Sequence, residues 1–125
     1  MTRGKQIIER RKNKRFQAPK GVFAVLRPGY TKMGSVVDVS TGGLAFRYVD
    51  KEKPPNGTYI DIFMIGEFFH LSKVPVKTIT DFEVVNGKPY CSFTIRRCGV
   101  QFEALTDHQK ALLEQFIQER IVGEA

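Results

Sequence analysis

Arg11 and Arg15 lie four positions apart inside the run RRKNKRF, Arg10 to Phe16, in which five of seven residues are basic. Between helical and fully extended rise, that spacing is roughly 6 to 13 Å. Guanidinium groups fork onto phosphate oxygens and also take the O6 and N7 acceptors of guanine as a pair. A second stretch, DVSTGGLAF from Asp38 to Phe46, sets a carboxylate and a hydroxyl two positions apart beside a glycine pair. On a strand, Asp38 and Ser40 would share a face. A carboxylate suits the N1–H and N2–H2 donors of guanine's opposite edge. Each stretch also has a plainer reading. The basic run is then a solvated arm, and DVSTGG a hairpin bend in which Gly42 and Gly43 supply positive φ angles. Together the two stretches fit a ligand carrying both guanine and phosphate better than either does alone.

Catalysis finds little support. His70 and His108 have no partner spacing that suggests a nucleophilic triad or a metal site, and read as exposed or structural histidines. No phosphate-cradling GxxxxGK[ST] or GxGxxG run occurs. The chain therefore reads as a non-enzyme without metal or cofactor. Cys91 and Cys98 are too few for a disulfide framework or a zinc site, and read as reduced residues of a cytoplasmic protein. No apolar run is long enough to span a bilayer, and the charged N-terminus does not read as a secretory leader.

The net charge of +7 is unevenly placed. Residues 1–20 hold eight Lys or Arg against Glu9 alone, whereas the other 105 residues hold twelve of each sign. A general nucleic-acid binder spreads positive charge over a face of its fold to follow many phosphates. Here the excess sits on one arm, beside a neutral body.

The elements that must position these residues are mostly strands. Val22–Leu26, Ser35–Val39, a segment around Leu44, Phe46 and Tyr48, Tyr59–Ile65, Val74–Val85, Tyr90–Ile95 and Arg97–Glu103 show short apolar runs or a period of two. Asn86–Gly87 is a preferred hairpin turn. No helix-length crossover separates these strands, so the sheet is expected to be antiparallel and closed as a barrel or stacked as a sandwich. Thr106 to Gln109 has the form of a capping box, and Leu112, Leu113, Phe116, Ile117 and Ile121 recur at helical spacing. An amphipathic C-terminal helix is predicted from about 107 to 122.

In RKNKR (Arg11–Arg15) and DVSTGG (Asp38–Gly43) the chain resembles the PilZ domain family, with its R-x-x-x-R and [D/N]-x-S-x-x-G motifs. RRCGVQFEALTDHQKALLEQFI looks like that family's closing strand and terminal helix, and the resemblance covers about residues 9–120. It implies an all-β fold with a terminal helix: a six-stranded antiparallel barrel over 21–125, preceded by a flexible basic arm over 1–20. It also implies a bacterial cytoplasmic receptor for the second messenger cyclic di-GMP (c-di-GMP). By position, Arg11 and Arg15 would meet guanine edges and phosphates, Asp38 and Ser40 would hydrogen-bond guanine or phosphate, and Gly43 would keep the bend tight. Arg10 would be a secondary contact. Arg96 and Arg97, read first as solvated charges, stand where they could reach the same surface. On this reading the ligand orders the arm, and a partner protein reads the new surface, with no DNA or RNA involved. Two rivals stand beside it. One is a small barrel for single-stranded nucleic acid, stacking bases on Phe63, Phe68, Phe69 or Tyr90. The other is an interaction module that needs no nucleotide.

Overall fold

The computed structural model describes residues 14–27, 32–49, 57–66, 69–84, 94–120 and 123–124. Six strands make the body: β2 (Val22–Arg27), β3 (Lys32–Val39), β4 (Gly43–Val49), β5 (Tyr59–Met64), β6 (His70–Glu83) and β7 (Ile95–Phe102). They hydrogen-bond in the order β2-β5-β6-β7-β4-β3, and β3 pairs back onto β2, so the sheet closes on itself. All of these pairings are antiparallel. The result is a barrel, which decides between the two β architectures the strand pattern allowed. A two-residue strand, β1 (Phe16–Gln17), lies outside the closed set on β3, and β8 (Gly123–Glu124) lies on β1.

Alternation fills the interior. Leu44, Phe46 and Tyr48 of β4 face inward with Cys98, Val100 and Phe102 of β7, joined by Leu26, Ile60, Ile62, Leu71, Val74 and Val76. Phe46 is wholly buried, and truncating such a side chain costs about 3–5 kcal/mol. The helix α1 (Asp107–Arg120) starts at a reciprocal cap: the Gln109 amide donates to Thr106 Oγ1 at 3.1 Å and the Thr106 amide to Gln109 Oε1 at 3.0 Å. Leu113 and Phe116 are its buried residues, and Phe116 stacks on Phe69 at 4.3 Å between ring centroids. Gln109 Nε2 also donates to the Ser72 carbonyl, so the first turn is tied to β6.

Several strand boundaries differ from the sequence reading, and β3 begins at Lys32 where Ser35 was expected. β6 begins at His70, four residues before the predicted start, because an irregularity at Asp61 sets Ser72 and Lys73 opposite a single residue. Lys73 takes φ 55°, and its amide donates to Asp61 Oδ1. That bulge hides the alternation from the sequence. The last strand is continuous from Ile95 to Phe102, with no break before Arg97. The predicted Asn86–Gly87 turn, the first part of the 90–95 strand, Cys91, and the predicted end of the helix at 121–122 lie outside the described residues.

One region of the interior is ionic. The Asp81 carboxylate, fully shielded from solvent, accepts from Lys32 Nζ at 2.6 Å, from Arg96 Nε at 2.9 Å and from the Tyr48 hydroxyl at 2.6 and 2.8 Å. Burial alone would raise its pKa, but the hydrogen bonds from Lys32, Tyr48 and Arg96 outweigh burial and hold it below the usual carboxylate range. Burial, with the Asp81 hydrogen bond, pushes the Tyr48 phenol well above its ordinary value.

Candidate ligand site

The site begins with a defect in β3. Val36 pairs with Phe46 and Asp38 with Ala45, so two steps along β3 match one step along β4, and Val37 is the extra residue. Without that bulge Asp38 would share the core face of Val36. With it, Asp38 turns out beside Ala45 while Val39 returns to the interior opposite Leu44. The bulge also receives the arm, since the Val37 carbonyl accepts from the Ala18 amide at 3.1 Å. β1 then pairs Phe16 with Val39 and Gln17 with Asp38. Alternation through β1 places Arg15 on the outer face, where its Nη1 donates to Asp38 Oδ1 at 2.8 Å.

The other carboxylate oxygen is taken from the opposite side. Arg97 Nη2 donates to Asp38 Oδ2 at 2.9 Å. Arg97 is on β7 and Asp38 on β3, with β4 between them, so the side chain reaches across nearly two strand spacings, about 9–10 Å. The small Ala45 makes that crossing possible, and Ala45 is itself buried although it shares the outer face of Asp38. Asp38 is only 4% exposed, yet arginine cations cover it on the outside of the barrel. Arg47 stands directly opposite Arg97 in the β4–β7 register and is exposed. Like charges at directly opposed positions destabilise a sheet, so two guanidiniums on one carboxylate, with Arg47 beside Arg97, make a surface suited to an added anion.

Ser40 and Gly43 shape the bend that follows. The Ser40 hydroxyl accepts from the Gly42 amide at 3.1 Å and the Gly43 amide at 3.2 Å, and donates to the Gly43 carbonyl at 3.3 Å. Its one donor and two acceptor positions are therefore all engaged. Ser40 lies just past the end of β3, so the expectation that it projects beside Asp38 along a strand is corrected. The expectation of positive φ at Gly42 and Gly43 is also corrected, since the positive-φ glycines among the described residues are Gly21 and Gly66. Gly43 is required for closeness instead: a Cβ there would sit 2.2 Å from the Val100 carbonyl oxygen of β7.

Of the residues singled out in the sequence, the structure brings Arg15 and Asp38 into contact, with Ser40 and Gly43 at the adjoining bend. Arg10 and Arg11 lie outside the described residues. Arg96 and Arg97 are not solvated charges: Arg96 turns inward to Asp81 and Arg97 outward to Asp38. Period-two alternation from Cys98, Val100 and Phe102 back along β7 signals this, because it puts Arg97 outside and Arg96 inside. Among the aromatics considered for base stacking, Phe69 packs under α1, while Phe63 stacks on Phe23 at 5.9 Å on β5 and β2, not on the strands that carry Asp38 and Arg97. Phe68 and Tyr90 lie outside the described residues. Among the described residues, no group of three or more His, Cys, Asp or Glu gathers as a metal site, and no helix is long and apolar enough to cross a membrane.

Comparison with known proteins agrees with this architecture. The PilZ domain model matches residues 9–119. The fold is similar to the PilZ domain of YcgR from Escherichia coli, solved with c-di-GMP, at 18% identity and a TM-score of 0.65 over 90% of this chain and 92% of that one. It is also similar to the K. pneumonia MrkH–c-di-GMP complex, at 12% identity and a TM-score of 0.70, and to MrkH in its apo state, at 14% and 0.66. Each of those two matches covers 90% of this chain, which spans about half the length of MrkH. No curated protein sequence matches the chain.

Proposed function

The chain belongs to the PilZ domain family, and from that premise we propose that it is a non-enzymatic receptor for cyclic di-GMP. The observation that carries the proposal is the Arg15–Asp38 contact, which joins the two motifs, 23 residues apart in sequence, at one point on the outer face of the barrel. Asp38 accepts the N1–H and N2–H2 donors of guanine; Arg15 and Arg11 take its O6 and N7 edge and the phosphates; Arg10 is a secondary contact. Ser40 and Gly43 hold the bend against which the ligand lies. Solved relatives of the same fold that hold c-di-GMP support this reading. Because β1 ties the end of the arm to the bulge, an anion bound at Arg15 and Arg11 draws the preceding basic residues onto the barrel, and a partner protein of the bacterial cytoplasm reads the resulting surface.

The test is a chemical-shift titration of the full chain with cyclic di-GMP and, separately, with a single-stranded oligonucleotide at two salt concentrations. The proposal expects saturable shifts at the Gly42 and Gly43 amides at micromolar cyclic di-GMP, with shallow salt dependence, since the ligand has two phosphates. Binding of the oligonucleotide alone, weakening steeply with salt, would establish the nucleic-acid reading instead. Shifts with neither would leave the nucleotide-independent module.

A further inference from the structure

Arg15 and Arg97 hold the same carboxylate but are anchored very differently. Arg15 adjoins a two-residue strand at the margin of the sheet, whereas Arg97 lies within an eight-residue strand paired on both sides. Each takes one oxygen of Asp38, at 2.8 and 2.9 Å. A carboxylate gripped at both oxygens has its plane fixed, and each oxygen keeps a second lone-pair direction. Guanine can therefore dock on Asp38 without displacing either arginine. The Arg97 contact is also retained despite the directly opposed Arg47, a placement that structure alone disfavours.

We propose that Arg97 is the positioning residue that sets the orientation of Asp38 and, through it, the preference for guanine over adenine, a role that presupposes the cyclic dinucleotide reading above. A carboxylate with both oxygens presented in one plane matches the paired donors N1–H and N2–H2. Adenine offers on that edge one donor, N6–H2, and one acceptor, N1, so an oxygen of the fixed carboxylate faces a lone pair. Freed from Arg97, Asp38 can turn and offer a single oxygen to the adenine amine. The discrimination then falls, and guanine loses its two-point contact.

Calorimetry on the full chain tests this with cyclic di-GMP and cyclic di-AMP as probes, on wild type, Arg97→Ala, Arg97→Lys, Asp38→Asn and the Arg97→Ala/Asp38→Asn double variant. Arg97→Ala is expected to weaken cyclic di-GMP binding about tenfold, to narrow the ratio between the two nucleotides, and to add little in the Asp38→Asn background. Arg97→Lys keeps part of the ratio, since an ammonium can still hold one oxygen. Thermal unfolding of each variant checks that the barrel is intact. An unchanged affinity in Arg97→Ala overturns the assignment. So does an equal loss for both nucleotides, or a loss of the same size without the Asp38 carboxylate, which would mark a direct phosphate contact or a purely structural role. Wild type that binds neither nucleotide overturns the functional reading and this assignment with it; wild type that binds cyclic di-GMP while Arg97→Ala leaves the ratio intact overturns the assignment alone.

Discussion

Arg96 and Arg97 are neighbours on β7, and each binds an aspartate, but on opposite sides of one sheet. Arg96 joins Lys32 and Tyr48 around Asp81 inside the barrel, where the carboxylate has no solvent exposure and the arginine side chain 12%. Arg97 joins Arg15 around Asp38 outside, where the arginine side chains are 31% and 22% exposed. The inner cluster balances two cations and a phenol against one buried acid, and its hydrogen bonds close on themselves. The outer cluster leaves its cations half-open to solvent beside a third arginine. Identical chemistry one residue apart thus gives a buried structural tie in one place and a partly exposed cationic cluster in the other, and strand alternation decides which.

The largest effect should come from breaking the inner cluster. Asp81→Ala leaves Lys32 buried without its counter-charge, and urea unfolding should show a loss of about 3–5 kcal/mol. Asp38→Ala should reverse the pattern. Its stability should stay within about 1 kcal/mol of wild type, while calorimetry with cyclic di-GMP should show a loss of about 1.5–3 kcal/mol in binding. If Asp38→Ala unfolds the protein and Asp81→Ala does not, the assignment of structural and ligand roles is the wrong way round.

Gly43→Ala sharpens the contrast at the bend. A methyl group there meets the Val100 carbonyl, so the β4–β7 pair must shift, and a loss of about 1–3 kcal/mol in unfolding free energy is expected. Were Gly43 needed only for turn freedom, alanine would be tolerated, since its φ is not positive. A smaller effect is expected from pH. The Asp81 pKa is lowered in the fold, so its contribution is complete above the unfolded value of about 3.9 and is lost as pH falls through the folded one. Acid unfolding of wild type and Asp81→Asn, compared by circular dichroism, should show a flatter pH dependence in the variant below about pH 4.

Much of this was legible in the sequence. Alternation at Leu44, Phe46 and Tyr48, and again at Cys98, Val100 and Phe102, marks the inward faces correctly, and the Thr106–Gln109 box marks the start of α1 to the residue. What escaped the sequence comes from irregular backbone. The extra residue at Val37 decides which face Asp38 occupies, and nothing in the side chains of Val36 and Val37 announces it. The irregularity at Asp61 likewise obscures the start of β6. Arg97 was visible as an outward position once the β7 alternation was extended, but its partner lies 59 residues away across an intervening strand. The pairing of β8 with β1 joins segments from opposite ends of the chain and leaves no local signature.

The central claim is that the outer cluster is a nucleotide site and the inner one is not. Titration calorimetry with cyclic di-GMP on wild type and Asp38→Ala, side by side, tests it most directly. Saturable heat with a Kd near 1 μM, about 8 kcal/mol, in wild type and a loss of tenfold or more in a folded Asp38→Ala protein is the predicted result. Equal affinity in the two proteins, or no heat from either at ligand concentrations well above that Kd, would contradict it.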